Sequence, residues 1–298
     1  MELTWPVKIR IAAAAIIGIL SFGIFAWPTI APKDPFGLVL LPQLPSLAML
    51  LVLAFAAGAV SYFVCWPYGR EVGILAVPIG LSIWAMKSGS VATFIQQNPS
   101  VAARREFFSA MRIEPVGWLM IAAAGFAGVL AAQLIAKPKR SSVAIDADAS
   151  EAKFNKILSV GVAVIATVLV TNFLIALFAQ GPRVPDARFG SVVAGPKNAQ
   201  IAFAVFVAFG IAAGLAKHFL NVNYIWPAAA SVFLPAYSTA AYLKADSLQY
   251  LAVNQPPMFF PISTIAVLPV QIVSIGIIGA VVGFWAAVRY DFWRKNEI

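Results

Sequence analysis

Residues 46–66 read SLAMLLVLAFAAGAVSYFVCW, a run that contains no charged side chain. A helix needs about 20 such residues to cross the ~30 Å hydrocarbon core of a bilayer, where every backbone N–H and C=O must find its partner inside the segment. Runs of similar length and character recur along the whole chain. The stretch therefore predicts a transmembrane helix, and its recurrence predicts an all-α, polytopic membrane helical bundle.

The composition supports this prediction. The 298 residues are 61% hydrophobic and 11% charged, whereas an ordinary soluble domain carries roughly 25% charged residues. The formal net charge of +9 does not indicate a nucleic-acid-binding protein, because the Lys and Arg residues are scattered at the ends of apolar runs, where they act as topology signals. We therefore expect the lipid bilayer, and no nucleic acid, as a partner of this chain.

Eight stretches qualify as membrane spans. Two dense clusters of cations, Lys137–Arg140 and Arg289–Lys295, directly follow the fourth and the eighth of them. Because Lys and Arg beside span ends favour the cytoplasmic side, an even number of spans predicts a multi-pass protein of the cell membrane with both termini in the cytoplasm. The spans are Ile9–Trp27, Ser46–Trp66, Val72–Met86, Val116–Ala136, Ile157–Ala179, Ile201–Ala216, Tyr224–Leu243 and Ile265–Val288.

The chain also has the pattern of a duplication. A polar cytoplasmic linker, 141–156, separates a first four-span repeat, 1–140, from a second, 157–298. The run AFAAGAVSYF at 54–63 aligns with GIAAGLAKHF at 210–219, and prolines, lysines and glycines align in the later spans of each half. Since each half holds an even number of spans, both halves enter the membrane in the same direction. The sequence thus predicts about eight helices arranged as two parallel four-helix repeats.

The recurring residues of the third and seventh spans form a candidate site. Pro78 and Pro235 interrupt corresponding spans, which in transporters frees backbone carbonyls at a substrate site; the alternative is a simple packing kink. Lys87 and Lys244 close the same two spans, where they either attract an anion or extend their ammonium groups to the bilayer surface. The candidate pathway or packing residues are Pro78, Ser82, Lys87, Pro235, Ser238, Thr239 and Lys244.

Small residues spaced four apart form a second group of candidates. They let two helix backbones approach closely, which favours helix association in lipid. The pattern does not distinguish a partner helix of this chain from one of another subunit. The residues that we expect at helix-packing faces are Gly58, Gly210, Gly214, Gly279 and Gly283.

The segment Asn98–Met111 precedes the fourth span and predicts a short helix that lies on the outer bilayer surface. Its aromatic residues Phe107 and Phe108 form an apolar face with Met111. Arginines in the same segment can contact lipid headgroups, as they do in amphipathic interfacial helices.

Catalytic chemistry is not indicated. The sequence contains no nucleotide-binding loop and no HExxH, GxSxG or CxxC motif. The single histidine, His218, has no second His, Cys or Met at ligand spacing. No Asp or Glu lies near the middle of a predicted span, although ion-coupled transport normally depends on such a group. We therefore expect no enzyme activity, no cofactor and no metal site.

Two functions fit this pattern. The first is a non-catalytic integral membrane subunit that anchors or scaffolds a larger membrane complex, with other membrane protein subunits as its partners. The second is a passive channel or uncoupled carrier for a small solute, with its pathway between the two repeats. The sequence favours the first, because polar residues are not concentrated in the spans whereas aromatic and small residues suited to packing are abundant.

Overall fold

The computed structural model describes residues 5–34, 37–97, 100–136, 153–181, 183–187, 190–193, 195–240 and 263–296. Within these ranges seven helices are long and apolar enough to span a membrane, which confirms the prediction of a helical, multi-pass membrane protein. The predicted seventh span, Tyr224–Leu243, is built from short helices up to Thr239, and its last residues lie outside the described ranges. The seven helical segments are Trp5–Phe25, Leu44–Val64, Gly69–Lys87, Val101–Ala136, Ile157–Phe178, Asn198–Leu220 and Pro269–Lys295.

Two spans of the first half depart from regular α-helix. The first span changes from α-helix to a π-helix over Ile19–Phe25, and the third span contains a 3₁₀ turn over Gly73–Leu75. A proline stands in the first turn of the second span, where its missing N–H costs no hydrogen bond. The α-helices are α1 (Trp5–Gly18), α2 (Trp27–Ile30), α3 (Leu44–Val64), α4 (Gly69–Val72), α5 (Ala76–Lys87), α6 (Val91–Gln97) and α7 (Val101–Ala136).

The second half adds a small antiparallel hairpin to its helices. Strand β1 pairs with β2 so that Arg183 lies opposite Val193, and the hairpin occupies the loop between α8 and α9. Two 3₁₀ turns, Ala230–Val232 and Ser263–Ala266, complete the half. The other elements are α8 (Lys153–Phe178), β1 (Arg183–Asp186), β2 (Gly190–Val193), α9 (Asn198–Leu220), α10 (Ile225–Ala229), α11 (Phe233–Thr239) and α12 (Pro269–Asn296).

Contacts at the helix ends show that α9 and α12 run in the same direction. Asn198 and Gln271, at the starts of these helices, both donate hydrogen bonds to carbonyls at the end of α5. His218 and Asp291, near the opposite ends of the same helices, contact each other. The two helices therefore run parallel, and the chain that joins them has to return across the bundle. We call the end at which α5 finishes the Lys87 face and the opposite end the terminal face.

Helix α7 differs from the sequence-based prediction. The expected surface helix over Asn98–Met111 is not a separate element; from Val101 onward it is continuous with the fourth span, and Pro115 lies inside the combined helix. Its apolar side chains, including Phe108, are buried in the protein and do not face lipid. The prediction of a separate surface helix was wrong because its amphipathic pattern does not show where the helix ends. Membrane helices tolerate a proline, and this helix continues through Pro115 into the fourth span.

Glycines bring helix backbones into contact in both halves. A Cβ atom added to Gly58 on α3 would collide with the carbonyl of Gly125 on α7, and one added to Gly283 on α12 would collide with the carbonyl of Gly210 on α9. A Cβ added to Gly18 on α1 would likewise collide with the carbonyl of Ala76 on α5. In lipid, such van der Waals contact replaces the hydrophobic drive that holds helices together in water.

We expect Gly58→Leu to destabilise the protein by about 3 kcal/mol or more, because the new side chain forces α3 away from α7 and overpacks a buried contact. Gly161 is the matched control, since an added Cβ there meets nothing within 4 Å. The measurement is thermal unfolding of both purified variants in the same detergent. Equal unfolding midpoints for Gly58→Leu and Gly161→Leu would contradict the packing described here.

Candidate functional site

Helix α5 lies between the two halves and is the centre of the candidate site. It packs against α1 and the π-helix of its own half and also against α12 of the other half. The side chains of Leu81 and Trp84 on α5 are fully buried. Helix α11 makes the reciprocal contact, since it packs against α7 of the first half. The third span of the first half and its counterpart in the second half thus each contact the opposite half.

The hydroxyl groups of the predicted pathway are engaged by their own helices. Ser82 donates to the carbonyl of Ile79 at 2.7 Å. Ser238 and Thr239 donate to the carbonyl of Pro235 at 3.2 and 2.6 Å. Each of these bonds runs back to a carbonyl three or four residues earlier in the same helix, a common arrangement for Ser and Thr in helices.

The predicted residues are also divided between two places in the fold. Pro78 is buried in α5, which packs against α12, whereas Pro235 is buried in α11, which packs against α7 and α8. Lys244 lies outside the described residues. The prolines therefore occupy comparable positions in their own halves, and the contacts described do not bring them into one cavity.

Lys87 contacts the π-helix of the first span at the Lys87 face. The π-helix shifts the backbone hydrogen-bond pattern and exposes carbonyls to side chains: the Trp84 indole N–H donates to the carbonyl of Phe22 at 2.7 Å, and Lys87 Nζ lies 3.5 Å from the carbonyl oxygen of Gly23. The ammonium group also stands 4.7 Å from the centre of the Trp27 ring. The Lys87 side chain is exposed at the end of the helix.

Two amide side chains of the second half cap the end of α5. Asn198 Nδ2 donates to the carbonyls of Met86 and Ser88 at 3.2 and 2.8 Å. Gln271 Nε2 donates to the carbonyl of Ala85 at 3.2 Å, while its Oε1 accepts the N–H of Leu268 at 2.9 Å. The last carbonyls of any helix lack partners within it, so these contacts complete α5. Sequence reasoning missed this amide cap, because the residues that form it are far apart in the chain.

Glu114 is a buried carboxylate that the sequence pattern placed only at a span end. Its side chain on α7 is 8% exposed, and Oε1 accepts the N–H of Leu41 from the loop after the first span. The second oxygen and the indole N–H of Trp118, one turn further along, are both buried and form no hydrogen bond in the described part of the chain. The carboxylate thus fixes this loop to α7 at the Lys87 face.

His218 contacts an aspartate side chain at the terminal face. Its Nδ1 lies 3.0 Å from Oδ1 of Asp291, and the two side chains are 29% and 28% exposed. The ring packs edge-on against Phe219 and Tyr290. Among the described residues there is no group of three or more His, Cys, Asp or Glu side chains that could hold a metal ion. The contact joins α9 to α12.

Comparison of the chain with protein-family models, curated proteins and solved structures found no match.

We expect Gln271→Leu to lower the free energy of unfolding by about 1–3 kcal/mol, because the substitution leaves a buried carbonyl and a buried N–H without partners. Gln200→Leu provides the comparison. Gln200 caps the end of α8 through the carbonyls of Phe178 and Gln180, at a more exposed position within the second half. In Gln200→Leu, water can replace the lost hydrogen bonds, so we expect a smaller decrease in the free energy of unfolding. Denaturant unfolding in detergent measures both, and a larger effect at Gln200 would argue against the inter-half cap.

Proposed function

We propose that the protein is a non-catalytic integral membrane subunit that anchors or scaffolds a larger membrane complex. The observation that carries this proposal is the packing between the halves. Helix α12 of the second half packs against α5 and α7 of the first. Trp84 on α5 and Trp118 on α7 are fully buried and meet edge-to-face with ring centres 6.2 Å apart. They belong to the same buried cluster as Val273 of α12, which is also fully buried. An interface filled by large apolar side chains suits a rigid body more than a solute pathway.

The use of polar groups supports the same function. Asn198 and Gln271 cap a helix of the opposite half, Glu114 holds a loop, and His218 pairs with Asp291. Each contact joins two parts of the chain and fixes its shape. A molecule that uses its buried polar groups in this way presents a defined surface to other membrane proteins.

We also propose that the halves are parallel repeats and that the chain crosses the membrane eight times. Two features support this. The 3₁₀ turn beginning at Gly73 starts five residues before Pro78, and the turn beginning at Ala230 starts five residues before Pro235. Parallel α9 and α12 require a return crossing between them. With an even number of crossings, the cation clusters at the ends of the fourth and eighth spans favour a cell-membrane protein with both termini in the cytoplasm.

Single-cysteine labelling tests the number of crossings. Cys65 is the only native cysteine, so Cys65→Ala provides the background for Glu2→Cys, Lys33→Cys and Lys295→Cys. With eight crossings, an impermeant thiol reagent reaches positions 2 and 295 from the cytoplasmic side and position 33 from the outer side. Labelling of position 295 together with position 33 would mean an odd number of crossings and would refute the proposal.

The subunit role predicts that the tagged chain, extracted in a gentle detergent, co-purifies with at least one other membrane protein in fixed stoichiometry. Quantitative mass spectrometry measures this, and an unrelated tagged polytopic protein extracted in parallel defines the background. Recovery of the chain alone contradicts the role. In liposomes we expect no leak of a small neutral solute above that of empty vesicles; protein-dependent flux would instead favour the passive channel or uncoupled carrier.

A further inference from the structure

The outer surface of the α9–α12 pair contains a groove of about 550 Å³. Its floor is formed by glycines on both helices, and its walls include Phe206, Phe219 and Val282. The groove is almost entirely apolar along its length. Toward the terminal face its lining ends with His218 and Phe219 on α9 and Tyr290 on α12.

The end of the groove at the terminal face is positively charged. Arg294 follows Tyr290 by one helical turn, so it continues the same face of α12 beyond the groove. Arg289 follows the groove residue Val282 by two turns and lies 4.6 Å over the ring of Trp293. Within the described ranges neither arginine is paired with a carboxylate, and the carboxylate of Asp291 at this end is engaged by His218.

We propose that this groove binds one phospholipid with an anionic headgroup, with an acyl chain along the glycine floor and the phosphate beside Arg289 and Arg294. The apolar length matches a hydrocarbon chain, and the cationic end matches a single anionic group at one end of that chain. Basic pockets between membrane helices bind anionic headgroups in this way. A partner helix, apolar along its whole length, would leave the two arginines without a complementary group.

The glycines allow the groove to be filled without separating its helices. A Cβ added to Gly214 lies 3.5 Å from the nearest atom, the carbonyl oxygen of Gly283, which is ordinary van der Waals contact. Gly214→Leu therefore leaves the backbone contact intact while its side chain occupies the groove. Gly161→Leu is the matched control, because it adds the same side chain to an exposed glycine of α8 that has no neighbour within 4 Å.

The headgroup contact has its own matched pair of variants. Arg289→Gln combined with Arg294→Gln removes the cations at the groove end. The control is Lys217→Gln, which removes a cation of α9 at the same face. Lys217 Nζ lies 5.6 Å from the centre of the Phe284 ring, and Phe284 is not among the residues that line the groove. The change in lipid affinity of Lys217→Gln measures how much any cation at the terminal face contributes through non-specific attraction of anions.

The experiment is native mass spectrometry of the delipidated full-length protein titrated with dioleoyl-phosphatidylglycerol or dioleoyl-phosphatidylcholine, which differ in headgroup charge and share their acyl chains. We expect tighter binding of phosphatidylglycerol by the unaltered protein. The arginine variant should lose about fivefold in phosphatidylglycerol affinity per cation removed and little for phosphatidylcholine. Gly214→Leu should weaken binding of both lipids about tenfold relative to Gly161→Leu.

Four results would overturn the proposal. Equal affinity for the two lipids excludes headgroup recognition, and an arginine variant that loses no more than Lys217→Gln excludes the groove end as its location. If Gly214→Leu binds both lipids as tightly as Gly161→Leu does, the groove is not the binding site. If the unaltered protein forms a dimer that Gly214→Leu abolishes, the groove is a helix interface and not a lipid site. The lipid site does not depend on the subunit role, so the two proposals fail separately.

Discussion

The need to pair every backbone carbonyl inside a hydrocarbon medium is the constraint on which this structure depends. Regular helices satisfy it automatically, and the chain departs from regular helix at places where a side chain supplies the missing partner. The π-helix of the first span presents Phe22 O to the indole of Trp84. The end of α5 is completed by two amides of the other half.

Close backbone contact is the second element of the architecture. At Gly58 and Gly283 the neighbouring helix lies where a Cβ would otherwise be, so the residue type is determined by space and not by backbone conformation. The two pairs, α3 with α7 and α9 with α12, act as rigid units because the glycines let many atoms approach at once. Helix α5 then contacts both units, and its polar end is bonded to the second.

The sequence predicted what lipid imposes on each segment separately. Spans, loops and the close packing of Gly58 follow from local composition and spacing. The amide cap could not be predicted, because Asn198 and Gln271 are polar residues at span starts whose partners are carbonyls of a distant helix. The sequence placed Glu114 at a span end, whereas in the structure it lies inside the continuous helix α7. Its contact with Leu41 joins two distant segments, and no periodicity in the sequence encodes it. The surface-helix prediction was wrong because the amphipathic pattern of that segment does not show that it is a separate element, and the helix continues through Pro115.

The amide cap also has a consequence for biosynthesis. Asn198 follows Ser88 by 110 residues, and Gln271 follows Ala85 by 186. A ribosome adds roughly 5–20 residues per second, so the last turn of α5 is made and inserted several seconds before either of its caps exists. During that interval water, lipid headgroups or the insertion machinery have to satisfy its carbonyls. The first half therefore cannot complete its structure on its own, because the hydrogen bonds at the end of α5 form only after the second half has been synthesised.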